Sequence, residues 1–193
     1  MNLIHRRLPI GFDDFKIVRQ NYTFIDKTRF IVGILEKRDA VTLITRPRRF
    51  GKTLNLSMLY YFLTLKDGEE NRSLFAGLDI EKKFPQYMSY QGSCPVIFLT
   101  FKDFDVDTYE SMLELLGCTM QDLYVEHKYI LADSSFDEEY LEYVQKMQKA
   151  KGSEIDLSLS LKRLTSFLRK YYQKNVVILI DEYDNPIQSA WKY

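Results

Sequence analysis

Residues 41 to 53, which read VTLITRPRRFGKT, decide the fold. Residues 41–45 are of types that favour β-strands, and they lead into a short loop that ends in Gly51, Lys52 and Thr53. Apolar residues then recur at helical spacing at Leu54, Met58, Tyr61, Phe62 and Leu65. The stretch therefore predicts a strand, a loop and a helix in immediate succession.

This order is typical of a phosphate-binding loop, in which backbone N–H groups at the start of a helix hold phosphate. In the motif G-x-x-x-x-G-K-[ST], the lysine reaches the β- and γ-phosphates and the Ser or Thr hydroxyl binds Mg²⁺. The triplet fits the end of the motif, whereas the motif's first glycine would fall at Arg46. We therefore predict a variant ATP phosphate site formed by Arg46, Arg48, Arg49, Phe50, Gly51, Lys52, Thr53 and Leu54.

Three arginines, Arg46, Arg48 and Arg49, lie within four positions of this loop. A guanidinium group matches phosphate geometry with two parallel hydrogen bonds, so phosphate binding is the favoured interpretation. A solvated charged run and a contact with nucleic acid remain alternatives. Because Pro47 fixes its own φ and pushes Arg46 toward an extended conformation, we expect a loop with fewer backbone donors and more arginine contacts.

A second candidate strand ends in two acids. Residues 176–180 are apolar throughout, and Asp181 and Glu182 follow them directly. Ligands bind at the carboxyl ends of the strands in open α/β sheets. We assign Mg²⁺ to Asp181 and Thr53, and we assign catalysis to Lys52 and to Glu182, which would orient the attacking water. The alternative is a buried strand that ends in a solvated acidic turn.

The remaining pattern alternates helices with strands, which predicts an α/β domain with a mainly parallel sheet. Residues 95–101 predict a strand that is apolar on both faces. Asp26 is expected to cap a helix of about a dozen residues, although Asp26 and Lys27 could instead lie beside the base or ribose. Three helices are expected after residue 105, the second with a capping box that opens at Ser135.

The composition is that of a globular protein. Lys+Arg and Asp+Glu both number 27 in 193 residues, so the net charge gives no support for nucleic acid as a partner, although it leaves a local basic patch open. The N-terminus lacks the apolar region of a signal peptide, and no apolar run approaches the length of a membrane span. We therefore expect a cytoplasmic protein with no membrane partner, and the sequence does not define its oligomeric state.

Three strings together carry a family resemblance: residues 24–28 (FIDKT), residues 43–58 (LITRPRRFGKTLNLSM) and residues 179–187 (LIDEYDNPI). They resemble the AAA-ATPase-like family of bacterial proteins, whose members often carry a PD-(D/E)XK nuclease-like domain after the ATPase region. The resemblance implies a P-loop NTPase fold of the ASCE, AAA-like branch, with ATP and Mg²⁺ as ligands. It also implies that the missing first glycine is a family trait.

The same branch usually has the strand order 5-1-4-3-2, which requires a strand between the phosphate-loop strand and the strand that ends at Asp181. We therefore expect a truncated domain: residues 1–40 as a lead-in with one helix, residues 41–193 as a partial ATPase core, and a C-terminal remainder beyond Tyr193. The 129 positions between Lys52 and Asp181 exceed what such a core needs, so a helical insertion is expected at about residues 105–155.

Three functions compete at this stage. The first is Mg²⁺-dependent ATP hydrolysis. The second is a nucleotide-binding regulatory switch with little hydrolysis, which would control an attached nuclease-like or partner domain. The third, a kinase, is disfavoured because kinases of this fold seldom need the acid pair at Asp181 and Glu182.

Overall fold

The computed structural model describes residues 7–45, 47, 50–132 and 136–190. The chain divides into two compact units, one that extends to Val96 and one that begins at Ile97. The described residues form helices in both units and one small parallel sheet, so the architecture is α/β. No helix in these ranges is long and apolar enough to cross a membrane.

The described part of the first unit is helical. Its elements are α1 (Phe15–Asn21), α2 (Arg29–Lys37), α3 (Lys52–Leu63), α4 (Gly68–Ser73), α5 (Asp79–Lys83) and a 3-10 helix (Pro85–Tyr90).

Aromatic packing around Phe15 forms the centre of the first unit. The Phe15 ring is fully buried, and its centroid lies 5.1 Å from that of Phe75 and 5.2 Å from that of Phe24. The backbone N–H of Phe15 donates a hydrogen bond of 2.9 Å to the hydroxyl of Ser57, which joins α1 to α3. This packing fixes α3, the helix that begins with the Lys-Thr pair of the predicted phosphate loop.

Helix α3 is buried on more than one side, which differs from the single apolar stripe that the sequence predicts. Both α1 and α4 pack against it, and Ser57 and Leu59 are therefore buried together with Met58 and Phe62. Beyond its end, Thr64 forms a parallel bridge with Cys94.

Residues 41–45 do not form the predicted strand. Val41 and Leu43 are 86% and 64% exposed, and the segment pairs with no other part of the chain that the structure describes. A strand needs a neighbour that satisfies its backbone N–H and C=O groups, so a high β-propensity alone does not create one. The prediction of a phosphate-loop strand is wrong for this structure.

The second unit contains the sheet and a group of long helices. Its elements are β1 (Val96–Thr100), which begins at the boundary between the units, α6 (Tyr109–Glu126), a 3-10 helix (Lys128–Ala132), α7 (Glu138–Gln148), α8 (Glu154–Tyr172), β2 (Val177–Asp181) and α9 (Asn185–Ala190). Strands β1 and β2 confirm the strands predicted at residues 95–101 and 176–180.

One core joins β1 to helices α6, α7 and α8. Ile97 and Leu99 of β1 are buried in it beside Tyr124 and Phe167, and the hydroxyl of Tyr124 donates to the carbonyl of Ser160 at 2.8 Å. All three helices occur where the sequence predicts helices.

The helix caps of the second unit differ from the predicted ones. The N-cap of α7 is Asp137, whose carboxylate accepts from the backbone N–H of Tyr140 at 2.9 Å, while Ser135 lies outside the described residues. A capping box does occur, but Ser153 and Asp156 form it at the start of α8.

Candidate nucleotide site

Gly51 forms a left-handed turn that starts helix α3. Its φ and ψ are 73° and 33°, a conformation that glycine adopts at little cost because it has no Cβ. Gly51 is the N-cap of this 12-residue helix, and Lys52 and Thr53 are the first two helical residues. A left-handed residue followed by a helical one directs successive N–H groups into a concave site for an anion, and the helix dipole adds to its attraction.

The residues predicted to surround this turn differ in exposure. Gly51, Lys52, Thr53 and Leu54 are half-buried, and Phe50 is 61% exposed. The first turn of α3 contains no acidic residue, so no carboxylate of that turn competes for the N–H groups. Three predicted phosphate ligands lie outside the described residues: Arg46, Arg48 and Arg49.

Lys27 reaches the same turn from the segment before α2. Its Nζ lies 3.8 Å from the position that a Cβ on Gly51 would occupy. The sequence suggested a place for Lys27 near the base or ribose. The structure brings its ammonium group close to Gly51, and a position of Lys27 beside the base or ribose stays a prediction.

Asp26 does not cap α2, which corrects the prediction from the sequence. Helix α2 has nine residues and its N-cap is Thr28. The Asp26 carboxylate accepts from the N–H and the hydroxyl of Thr28 at 2.9 and 2.7 Å, and from the N–H of Asp79 at 2.7 Å. The Thr28 hydroxyl accepts from the N–H of Ile80 at 3.0 Å. Asp26 and Thr28 therefore cap α5, a helix more than fifty residues away in sequence.

These contacts determine the ionisation of Asp26. Partial burial acts to raise the pKa of its carboxyl group, but the hydrogen bonds from Thr28 and Asp79 outweigh burial and lower the pKa below its ordinary value. The group is therefore ionised at neutral pH, which suits an acceptor at the positive end of α5.

Asp181 and Glu182 lie at the carboxyl end of β2 in the second unit. Asp181 is 2% exposed, and its backbone carbonyl accepts from the N–H of Phe101, just after β1, at 3.0 Å. Glu182 is half-buried and has a φ of 50°. The other non-glycine residues with positive φ in the described ranges flank helices, whereas Glu182 directly follows a strand. A non-glycine residue in this left-handed region carries backbone strain.

Asn185 holds the turn after Glu182, and the sequence analysis did not identify it. Its side-chain amide donates to the carbonyls of Phe101 and Lys102 at 3.1 and 3.2 Å, and its backbone N–H donates to the carbonyl of Glu182 at 3.1 Å. The residue thereby fixes the ends of β1 and β2 relative to each other. Asn185 is the first residue of α9, and its structural role cannot be read from the sequence because its partners are 83 and 84 positions away.

The second unit also has a cavity of about 380 Å³ beside β1 and α6. Asp103, Asp122 and Glu126 are among the residues that line it. Carboxylates repel phosphate, so this cavity does not suit the triphosphate of a nucleotide.

The Gly51 turn thus lies in the first unit and the acid pair in the second.

Comparison with known proteins identifies a family. The family model described as "Predicted AAA-ATPase" matches residues 9–193 and so includes both motifs. The chain is 26% identical over 191 residues to a protein of Azotobacter chroococcum mcd 1 described as "Uncharacterized protein in vnfD 5'region". That alignment covers 94% of this chain and 30% of the relative. No solved structure matches the chain.

Proposed function

The chain belongs to the predicted AAA-ATPase family, and from this premise we propose that it binds ATP with Mg²⁺ and hydrolyses it. The observation that carries the proposal is the left-handed turn of Gly51 at the start of α3. A family model alone does not establish the ability to bind phosphate. The Gly51 turn gives a physical basis for phosphate binding, because it presents N–H groups and a helix dipole to an anion.

In the proposed complex, the phosphates lie on the N–H groups at the start of α3. Lys52 binds the β- and γ-phosphates, and Arg46, Arg48 and Arg49 add guanidinium contacts. We propose the hydroxyl of Thr53 and the carboxylate of Asp181 as the Mg²⁺ ligands, because both are hard oxygen donors and Mg²⁺ takes few protein ligands together with phosphate and water. When bound, the ion would neutralise charge that develops on the phosphates.

Glu182 is proposed to orient the water that attacks the γ-phosphate. Its carboxylate would accept a hydrogen bond from that water, and its position directly after Asp181 would place it near the metal-binding group. The proposal requires the acid pair and the Gly51 turn to face the same nucleotide. The strained φ of Glu182 supports this role, because such strain persists where the surrounding structure holds a residue in place.

Glu182→Gln tests the proposal. This change keeps the shape of the side chain and removes its ability to take up a proton. We expect ATP affinity close to that of the wild type and phosphate release reduced by about a hundredfold or more. A matched control is Glu139→Gln, at the exposed start of α7, which should retain full turnover. Normal phosphate release by Glu182→Gln would contradict the assignment.

A regulatory switch is the second candidate function. The chain spans 30% of the length of its Azotobacter relative, so that relative has much additional sequence which a nucleotide-driven switch could control. A switch and an ATPase bind ATP alike but differ in turnover. Steady-state phosphate release by the wild-type protein separates them: tight ATP binding with negligible release favours the switch, and sustained release favours the ATPase.

A further inference from the structure

We propose that Lys27 is a second phosphate-binding cation of the nucleotide site, in addition to Lys52; this inference rests on the proposed function. Neither the Gly-Lys-Thr motif nor the acid pair includes Lys27, which lies 24 positions before Gly51. The inference depends on where the first unit places the ammonium group of Lys27, on how its backbone is held, and on the charges around it.

The first step is position. The Nζ of Lys27 lies 3.8 Å from where a Cβ on Gly51 would be, so the ammonium group lies over the left-handed turn itself. Gly51 is followed by the first N–H groups of α3, and a phosphate held by them would be close enough for a charge-assisted hydrogen bond from Lys27.

The second step is how firmly Lys27 is held. Its neighbours Asp26 and Thr28 both bind the start of α5, and Thr28 is fully buried. The carbonyl of Lys27 accepts from the N–H of Phe30 at 2.9 Å, at the start of α2. The backbone on either side of Lys27 is thus anchored, and its side chain extends from a fixed point toward Gly51.

The third step is charge. The N-terminus of a helix carries a partial positive charge, so a lysine there is unfavourable unless an anion lies between. The first turn of α3 has no acid, and Lys27 forms no ion pair within the part of the chain that the structure describes. A bound phosphate would supply the missing negative charge to Lys27 and to the helix together.

The test is a series of ligands that differ in phosphate number. Binding of ATP, ADP, AMP and adenosine is measured by calorimetry for the wild type and for Lys27→Met, which keeps the length of the side chain and removes its charge. We expect Lys27→Met to weaken ATP binding by about tenfold or more, to weaken ADP less, and to leave adenosine unchanged. Lys27→Arg, which keeps the charge, should retain most of the affinity.

Lys37→Met is the matched control, because Lys37 is an exposed lysine at the far end of α2. It should bind all four ligands as the wild type does. Far-ultraviolet circular dichroism confirms that each variant is folded, and Lys27 is exposed, so its replacement should not unfold the chain.

The outcomes separate this inference from the proposed function. If the wild type does not bind ATP, both the proposed function and this inference are refuted. If the wild type binds ATP and Lys27→Met binds it equally well, only the role of Lys27 is refuted. An equal loss for ATP and adenosine would also refute it, because Lys27 would then contact the nucleoside.

Discussion

Thr28→Val is expected to destabilise the first unit by breaking the cap of α5. The Thr28 hydroxyl accepts from the N–H of Ile80 at 3.0 Å and donates to Asp26 at 2.7 Å. Valine has nearly the same shape, so the change removes these two hydrogen bonds without opening a cavity. Thr28 and Ile80 are both 0% exposed, so water cannot replace the lost acceptor.

The size of this destabilisation follows from the backbone N–H of Ile80, which loses its hydrogen-bond acceptor. As the second residue of α5, Ile80 has no intrahelical acceptor for its N–H. A buried donor that loses its partner costs about 1–3 kcal/mol, so we expect the free energy of unfolding to fall by about 2 kcal/mol. For a unit of this size, that corresponds to a decrease of about 8–16 °C in melting temperature.

Thermal melts followed by circular dichroism measure this effect, and amide hydrogen exchange at Asp79 and Ile80 locates it. Thr165→Val is the matched control: the Thr165 hydroxyl only adds a 2.7 Å hydrogen bond to the Leu161 carbonyl, which the helix already satisfies. That variant should change stability by less than about 0.5 kcal/mol. A Thr28→Val protein that melts with the wild type and protects both amides equally would refute the capping account.

Three further predictions concern the site and acid stability. Glu182→Gly should be more stable than Glu182→Ala by about 1 kcal/mol in urea titrations, because glycine tolerates a φ of 50° and both changes remove the same side-chain contacts, and both should abolish phosphate release; a Glu182→Gly protein less stable than Glu182→Ala would show that the backbone is not strained. Gly51→Ala should lower stability by about 1 kcal/mol because its φ is 73°, and should weaken ATP binding; unchanged urea curves would argue against the left-handed turn. Hydrogen bonds from Lys146 and Ser153 lower the pKa of Asp156 in the folded protein. The ionised Asp156 carboxylate therefore stabilises the fold fully at pH values above its pKa in the unfolded chain, and this stabilisation is lost as the pH falls through its lower pKa in the folded protein. Asp156→Asn should therefore be less stable than the wild type at pH 7 and similar to it in strong acid, and an equal difference at both pH values would contradict this.

The sequence predicts β1 and β2 well because each is a short apolar run that finds a neighbouring strand; β1 is mostly buried, whereas Ile178 and Ile180 of β2 are exposed. A short apolar run between polar turns is too short for a helix, so a strand is the structure that such a pattern predicts. Residues 41–45 are also rich in strand-favouring residues, yet four of the five are exposed and they form no strand. The two cases differ in whether a neighbouring strand is available. Strands β1 and β2 pair with each other, and no segment in the described ranges pairs with residues 41–45.

The start of α3 could also be predicted, because Gly51, Lys52 and Thr53 are contiguous and a local motif encodes a local turn. The roles of Asp26 and Lys27 could not. Asp26 looks like a local helix cap, but its carboxylate binds Asp79, 53 positions away, and Lys27 approaches Gly51 through tertiary packing alone. Contacts between distant segments leave no periodic pattern in a single sequence.

The most direct test of the central claim is calorimetric titration of ATP, with Mg²⁺ present, into the wild type and into Lys52→Ala. Lys52 is the first residue of α3, and the proposed site depends on its charge at the Gly51 turn. We predict saturable binding of ATP by the wild type and no measurable binding by Lys52→Ala, with both proteins folded. Equal ATP affinities for the two proteins would contradict the assignment of the nucleotide site to this loop.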